Sequence, residues 1–300
     1  MSEQPYDLRK VLEELKEIPG QYHETDVEID PNAEISGVYR YIGAGGTVER
    51  PTQEGPAMTF NNIKGFPNVR VNIGTMASRK RVGHILHHDY KDLGHLLNKA
   101  VENPVKPVKV SKDQAPAQEV VHLATDDDFD IRKLIAAPTN TEYDAGPYIT
   151  TGLVYGSTPD KSMSDVTIHR MVLEDKDTIG IYIMPGGRHI GAFLSEYQKL
   201  NKPMPITINI GLDPAILIGA TFEPPTTPLG YNELWVAGAL RNAPVQLVDS
   251  IAVDEVGIAR SEFIIEGEIL QMKQFKKILI RIQVMPCLNS QVTMVQPIQL

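Results

Sequence analysis

Two stretches of alternating apolar residues, each beside polar or glycine-rich segments, constrain the fold of this chain more than any other feature. Val166 and Ile168 alternate with polar residues in the first stretch, and Ile181 and Ile183 form the second. Such alternation predicts half-buried strands whose interleaved polar side chains share the opposite face. The polar residues on these segments are an acid, two histidines and two arginines: Asp165, His169, Arg170, Arg188 and His189. A polar, basic face edged by glycines suits an anionic ligand.

The remaining periodic segments indicate a mixture of helices and strands. Helical spacing of apolar residues predicts amphipathic helices over 6–18, 79–101 and 191–200. Alternating isoleucines predict a strand over 206–210, and Asp213 before Pro214 predicts the start of a helix over 215–220. The histidines of 79–101 lack the His-Glu-x-x-His spacing of a metal-binding helix and predict an ordinary polar face: His84, His87, His88 and His95.

Length, charge and cysteine content narrow the class of protein. A chain of 300 residues is long enough for about two domains, and a proline- and lysine-rich stretch over 104–116 predicts a linker. The formal net charge of −9 argues against nucleic acid or an anionic membrane surface as a partner. Cys287 is the only cysteine, so an intrachain disulfide and a cysteine-based zinc site are excluded. With no apolar signal segment and no apolar run of about 18 residues, we expect a soluble, cytoplasmic protein.

Three motifs together resemble those of the UbiD family of reversible decarboxylases. They are Asp165-x-x-Ile168-x-Arg170, then Arg188-His189 before an amphipathic helix, then Glu233 within 231–239. Similar stretches extend from 56–65 to 261–269, so the resemblance covers about residues 1 to 270. Within the family, three segments are similar to those of bacterial gallate or hydroxybenzoate decarboxylases: 35–40, 172–177 and 222–228.

The resemblance implies a prenylated flavin mononucleotide (FMN) held with a divalent metal, usually manganese (Mn2+), and with potassium (K+). The implied metal ligands are Asp165, His189 and Glu233. Two carboxylates and one imidazole suit manganese or magnesium that bridges to a phosphate oxygen. Many members have Asn in place of Asp165, but Asp still offers an oxygen ligand. The implied cofactor contacts are Ile168, His169, Arg170, Arg188 and His189.

The resemblance also implies the fold and the domain organisation. The expected fold class is α+β, with an N-terminal α/β domain over 1–115 and an FMN-binding split β-barrel with inserted helices over 116–270. The C-terminal domain of the family is expected to be absent. Spacing of apolar residues alone supports only a mixed α and β protein.

The implied reaction is the non-oxidative decarboxylation of a hydroxylated aromatic acid, gallate-like or 4-hydroxybenzoate-like, to a phenol. Loss of carbon dioxide leaves electron density on a ring carbon, so the reaction needs an electron sink and a proton donor. No side chain is such a sink, and a cofactor has to supply it. Arg170, which matches the catalytic arginine of the family, would grip the substrate carboxylate with two hydrogen bonds. The family further implies homo-oligomers among full-length relatives and a flavin prenyltransferase that supplies the cofactor.

Two other functions stay open. The first is a flavin-dependent oxidoreductase on a similar barrel, which would consume a reduced nicotinamide and would not need a metal at Asp165, His189 and Glu233. No dinucleotide-binding fingerprint is present to favour it. The second is a catalytically dead, truncated chain that binds flavin or pairs with subunits without turnover.

Residues 271–300 differ in composition from the rest of the chain. They contain none of the 38 acidic residues, no glycine, six glutamines and the only cysteine. We therefore expect an atypical tail produced by a reading-frame shift just after Leu270, which sequencing of the coding DNA would test. Such a chain would lack the catalytic acid that the family places beyond Ile269, expose unfinished barrel surface and be nearly inactive. The alternative is a genuine short tail in which 278–282 completes the barrel.

Overall fold

The computed structural model describes residues 6–44, 54–183, 188–270, 278–286 and 292–296, the last two segments as backbone only. Its helices are α1 (Leu8–Lys16), α2 (Glu34–Ala44), α3 (Arg79–Ile85), α4 (Leu93–Glu102), α5 (Ile131–Leu134), α6 (His189–Lys199), α7 (Pro214–Gly219) and α8 (Leu234–Arg241). Its strands are β1 (Tyr22–Thr25), β2 (Ala57–Phe60), β3 (Val69–Ile73), β4 (Val108–Lys109), β5 (Tyr148–Ser157), β6 (Ser164–Asp175), β7 (Thr178–Ile181), β8 (Met204–Ile210), β9 (Gln246–Asp249), β10 (Val256–Ile258), β11 (Phe263–Ile269), β12 (Ile278–Pro286) and β13 (Val292–Gln296).

A closed antiparallel barrel dominates the second half of the chain. Its strands follow the order β11-β12-β7-β6-β5-β8. The isoleucines of β8 and β11 lie opposite each other in the ladder, as Ile208 does to Ile265, and both are fully buried. Smaller sheets flank the barrel, in the orders β1-β2-β3-β13 and β10-β9-β4. The predicted α+β class is confirmed, whereas the predicted domain boundaries stay predictions.

The tail provides the strand that closes the barrel. β12 pairs antiparallel with β11 on one side and with β7 on the other. The expectation of unfinished barrel surface was therefore wrong, because this strand satisfies both free edges. The backbone follows the alternative in which 278–282 completes the barrel. The reading-frame shift concerns the coding DNA and stays a prediction, and residues 271–277 lie outside the described part of the chain.

Helix α1 joins the N-terminal part to the barrel. Its four apolar positions, predicted from their spacing, are all buried: Leu8, Val11, Leu12 and Leu15. Asp7 accepts a hydrogen bond from the backbone of Lys10 and starts the helix. On the adjacent face, Arg9 donates from Nε and Nη2 to the two carboxylate oxygens of Glu262, each at 2.6 Å. This bidentate pair ties α1 to the residue just before β11.

The predicted continuous helix over 79–101 was wrong, because the segment forms α3 and α4 with a turn between them. His87 adopts a left-handed conformation with φ of +50°. The backbone N–H of His88 then bonds to the carbonyl of Gly83 at 2.9 Å, and that of His87 bonds to the carbonyl of His84 at 3.1 Å. This pair of bonds is the Schellman ending of a helix, which usually has glycine at the left-handed position.

Other predicted elements lie close to their expected positions. The helix expected over 191–200 is α6, the strand expected over 206–210 is β8, and the helix expected over 215–220 is α7. The side chain of Asp213 accepts a hydrogen bond from the backbone of Ala215 at 3.1 Å and caps α7. The glycine-rich turn predicted before Arg188 falls at 184–187, outside the described residues. Among the described helices, none is both long and apolar enough to span a membrane.

Candidate functional site

Three secondary-structure elements begin at one buried place beside the barrel. Asp165 is the second residue of β6, His189 is the first residue of α6, and Glu233 directly precedes α8. The three residues are 2%, 9% and 2% exposed, and their potential ligand atoms all lie within 4.8 Å of one another. Atoms that share one ion at about 2.0 to 2.6 Å lie at most about twice that distance apart. The structure thus brings the three predicted ligands together, and their binding of a metal stays a prediction.

The cluster is incompletely hydrogen-bonded. Oδ1 of Asp165, Nε2 of His189 and Oε2 of Glu233 are buried without a hydrogen-bond partner among the described residues. The other oxygen of Asp165 accepts from Oγ1 of Thr167 at 3.2 Å, and Nδ1 of His189 lies 3.5 Å from Oδ1 of Asp165. Buried polar atoms are rarely left unpaired, because the loss of their water costs about 1–3 kcal/mol each. Two oxygens and one nitrogen form a donor set that fits a divalent cation such as manganese.

The two carboxylates titrate as a pair. Burial, together with the neighbouring Asp165, raises the pKa of Glu233 to about 9. Burial opposes ionisation of Asp165 as well, but His189 and Glu233 hold the pKa of Asp165 below its ordinary value. Near pH 7 the pair therefore carries one proton and one negative charge. A bound divalent cation would take the place of that proton.

The predicted cofactor contacts lie on β6 and at the start of α6. Ile168 is half-buried and packs against the core formed by α1, α7 and α8. Burial and the positive charge of Arg188 lower the pKa of His169 to about 4, so its ring is neutral near pH 7. The Nε2 atom of His169 is buried without a hydrogen-bond partner among the described residues. Arg188 donates to the carbonyl of Phe222 at 3.2 Å and pairs with Glu223 at 3.3 Å. A guanidinium at the start of a helix offers chemistry that a phosphate favours.

Strand alternation separates Arg170 from the buried cluster. Asp165 and His169 lie on one face of β6, and Arg170 lies on the other face with Ile168 because the two faces alternate residue by residue. Arg170 is exposed, whereas Asp165 is buried. The expectation that all polar residues of this segment share one face was therefore wrong for Arg170. Any contact of Arg170 with a carboxylate takes place on the opposite side of β6 from Asp165.

Sequence reasoning missed the polar residues that surround the cluster: Ser164, Thr167, Thr227 and Asn232. Thr227 is fully buried, and Asn232 donates a hydrogen bond from Nδ2 to Oγ of Ser164 at 3.0 Å. Asn232 accepts a hydrogen bond from the backbone N–H of Leu234 at 2.9 Å at the start of α8, and asparagine is a common residue at helix starts. No local signal exists for the contact between Asn232 and Ser164, which are 68 residues apart.

Comparison with known proteins places these features in one family. Residues 13–101 match the 3-octaprenyl-4-hydroxybenzoate carboxy-lyase N-terminal domain, and residues 108–277 match the Rift-related domain of the same carboxy-lyase. Gallate decarboxylase of Lactiplantibacillus plantarum is 71% identical over 277 residues, which cover 92% of this chain and 56% of that protein. The chain thus spans about half the length of the curated relatives it matches.

Solved structures agree with the sequence matches. Apo 3,4-dihydroxybenzoic acid decarboxylase of Klebsiella pneumoniae superposes with a TM-score of 0.90 at 45% identity, over 98% of this chain and 65% of that chain. An evolved dimeric form of the UbiD-class enzyme HmfF from Pelotomaculum thermopropionicum, in complex with prenylated FMN, gives 0.85 at 27% identity, over 98% and 68%. The matched domains cover most of this chain, which belongs to the UbiD family.

Proposed function

We propose that this chain takes part in the non-oxidative decarboxylation of a hydroxylated, gallate-like aromatic acid to a phenol, using prenylated FMN. The observation that carries the proposal is the buried cluster of Asp165, His189 and Glu233 with its three unpaired ligand atoms. Identity to a gallate decarboxylase and similarity to a 3,4-dihydroxybenzoic acid decarboxylase support the choice of substrate. Similarity to a UbiD-class enzyme in complex with prenylated FMN supports the cofactor.

In this proposal Asp165, His189 and Glu233 would hold Mn2+, and the cation would offset the negative charge of the two carboxylates and of a cofactor phosphate. Arg188 and the start of α6 add positive charge for the same phosphate. His169, neutral near pH 7, offers its buried Nε2 to a hydrogen-bond donor of the cofactor. When bound, prenylated FMN supplies the electron sink for the ring carbon that loses carbon dioxide.

Arg170 has a separate role in the proposal. On its own face of β6, its planar guanidinium binds the substrate carboxylate through two parallel hydrogen bonds and fixes the angle of the aromatic ring. The phosphate and the reactive ring system of FMN are at opposite ends of the molecule. The separation of Arg170 from the buried cluster is consistent with one group near each end. The proposal further includes K+ as a second ion, a flavin prenyltransferase as cofactor source, a homo-oligomer and a cytoplasmic location.

Reconstitution tests the proposal directly. The 300-residue chain is produced together with a flavin prenyltransferase and supplied with Mn2+ and K+. We expect bound prenylated FMN by absorption and intact mass, Mn2+ by elemental analysis, and release of carbon dioxide from gallate or a related hydroxybenzoate. Oxidation of a reduced nicotinamide without decarboxylation would instead support the oxidoreductase alternative. Bound cofactor and metal without any turnover would support the dead, truncated chain.

Arg170→Lys separates substrate orientation from cofactor binding. Lysine keeps the positive charge but loses the planar fork, so turnover of the aromatic acid should fall by at least about 100-fold while flavin binding persists. Lys99→Arg, on the surface of α4, is a control for the effect of exchanging the two basic residues. Normal turnover by Arg170→Lys would contradict the assigned role.

A further inference from the structure

We infer that Asn232 and Ser164 form a positioning clamp, which sets the separation of the Asp165 and Glu233 carboxylates. The Asn232–Ser164 clamp rests on the proposed metal site. Nδ2 of Asn232 donates to Oγ of Ser164 at 3.0 Å, and Oδ1 of Asn232 accepts from the backbone N–H of Leu234 at 2.9 Å. Asn232 is 3% exposed, so water does not compete freely for these bonds.

Each residue of the clamp directly precedes a residue of the cluster. Ser164 precedes Asp165 at the start of β6, and Asn232 precedes Glu233 at the start of α8. One side-chain hydrogen bond therefore joins two elements that are distant in sequence, at the point where each presents its carboxylate. Two carboxylates at this separation repel each other when both are ionised. A hydrogen bond between the residues that precede them keeps the two carboxylates in place for a cation.

The Ser164 side of the clamp is itself held rigidly. The turn between β5 and β6 folds around Asp160, which accepts from Oγ1 of Thr158 at 2.7 Å and from the backbone of Ser162 at 3.0 Å. Ser157 pairs with Ser164 in the ladder, and Oγ of Ser157 donates to Glu255 at 3.0 Å. The turn thus provides a fixed point against which Asn232 orients the start of α8.

The side chain of Asn232 suits this place chemically. An amide accepts from Leu234 and donates to Ser164 at the same time. It does so without placing a third negative charge beside Asp165 and Glu233. Partners that orient metal ligands in this way typically change metal affinity about 10- to 100-fold when removed.

The test measures Mn2+ binding to the metal-free chain by electron paramagnetic resonance, with thermal unfolding in parallel. Asn232→Ser keeps a short acceptor for Leu234 but does not reach Ser164, and Ser164→Ala removes the partner from the other side. We expect each to weaken Mn2+ binding about 10- to 100-fold. Ser164→Thr, which keeps the hydroxyl, should restore binding. The double variant should bind Mn2+ as tightly as the weaker-binding of the two single variants. Both substitutions remove the same hydrogen bond between Asn232 and Ser164, so their effects should not add.

Asn209→Ser is the matched control. Asn209 is fully buried in the barrel and also uses both amide atoms, donating to the carbonyl of Leu153 and accepting from the backbone of Ile258. The Asn209→Ser substitution should lower thermal stability and leave Mn2+ affinity unchanged.

Equal losses of Mn2+ affinity in Asn209→Ser and Asn232→Ser would overturn the clamp. Unchanged Mn2+ affinity in both Asn232→Ser and Ser164→Ala would also overturn it. If Asn232→Ser does not fold, the pair Ser164→Ala and Ser164→Thr decides. A wild-type chain that binds no Mn2+ would overturn the metal site and the clamp together.

Discussion

Two groups of buried carboxylates lie in the second half of this molecule, and they differ in what satisfies them. Asp213 accepts hydrogen bonds from Nε and Nη2 of Arg241 at 2.8 and 2.5 Å. Glu266 accepts hydrogen bonds from backbone N–H groups of the 250–255 loop on both of its oxygens. Asp165 and Glu233 are equally buried, yet each keeps one oxygen without a hydrogen-bond partner among the described residues.

This difference in hydrogen bonding distinguishes carboxylates that stabilise the fold from carboxylates that are available to bind a ligand. A buried carboxylate is costly unless cations or N–H groups of the protein satisfy it. At Asp213 and Glu266 the chain supplies those groups itself. At Asp165 and Glu233 protonation of Glu233 removes one of the two negative charges, and an added cation would satisfy the unpaired oxygens.

Asp213→Ala should have the largest effect on the free energy of unfolding. It leaves the guanidinium of Arg241 buried without its carboxylate and removes the cap of α7, so we expect a loss of about 3–5 kcal/mol. Urea unfolding followed by circular dichroism measures it. Asp213→Asn, which keeps the cap, should lose less. A loss under about 1 kcal/mol for Asp213→Ala would contradict the division, since an exposed pair contributes that much.

Glu233→Gln should have the next largest effect, on metal binding and on pH dependence. Loss of a direct ligand should weaken Mn2+ binding at least about 100-fold, which is the upper end of the range for the loss of an outer-shell partner. The unfolded chain releases the Glu233 proton near the ordinary pKa of 4.5, whereas the folded, metal-free chain keeps it until about pH 9. Unfolding between these values releases a proton, so the free energy of unfolding falls as the pH rises, by up to about 1.4 kcal/mol per unit.

Urea unfolding at pH 6, 7 and 8 measures this slope. The slope should be smaller in Glu233→Gln, and saturating Mn2+ should remove it from the wild-type chain, because the cation replaces the proton. Equal slopes for wild type and Glu233→Gln in metal-free buffer would show that Glu233 does not hold the proton.

How well a feature of this protein can be predicted from its sequence depends on how far apart in the sequence the interacting residues lie. Local spacing predicted α1 and β8, because burial of one face produces a repeating apolar pattern. Motif resemblance brought Asp165, His189 and Glu233 together, although 68 residues separate the first from the last. Resemblance did not predict that Arg170 lies on the other face of β6. That follows from counting residues along the strand.

Two features could not be read correctly from the sequence. The helix over 79–101 breaks at His87, which takes a left-handed conformation without the glycine that usually signals it. The tail lacks acidic residues, yet Ile278, Ile280 and Ile282 alternate as in a strand, and β12 forms there. Pairing of a strand with distant neighbours depends on tertiary context that composition does not contain.

Glu266→Gln should have the smallest of these effects and sharpens the comparison most, because it repeats the Glu233→Gln substitution at a satisfied site. Glu266 accepts from the backbone N–H of Ile251 at 2.9 Å and of Ala252 at 2.6 Å. Burial raises the pKa of Glu266, and these N–H groups oppose the shift. Glutamine would turn an N–H donor toward other donors, which should cost about 1–3 kcal/mol of unfolding free energy. Mn2+ affinity should stay at the wild-type value. If Glu266→Gln instead weakened Mn2+ binding as much as Glu233→Gln does, the two groups of carboxylates would not be functionally distinct.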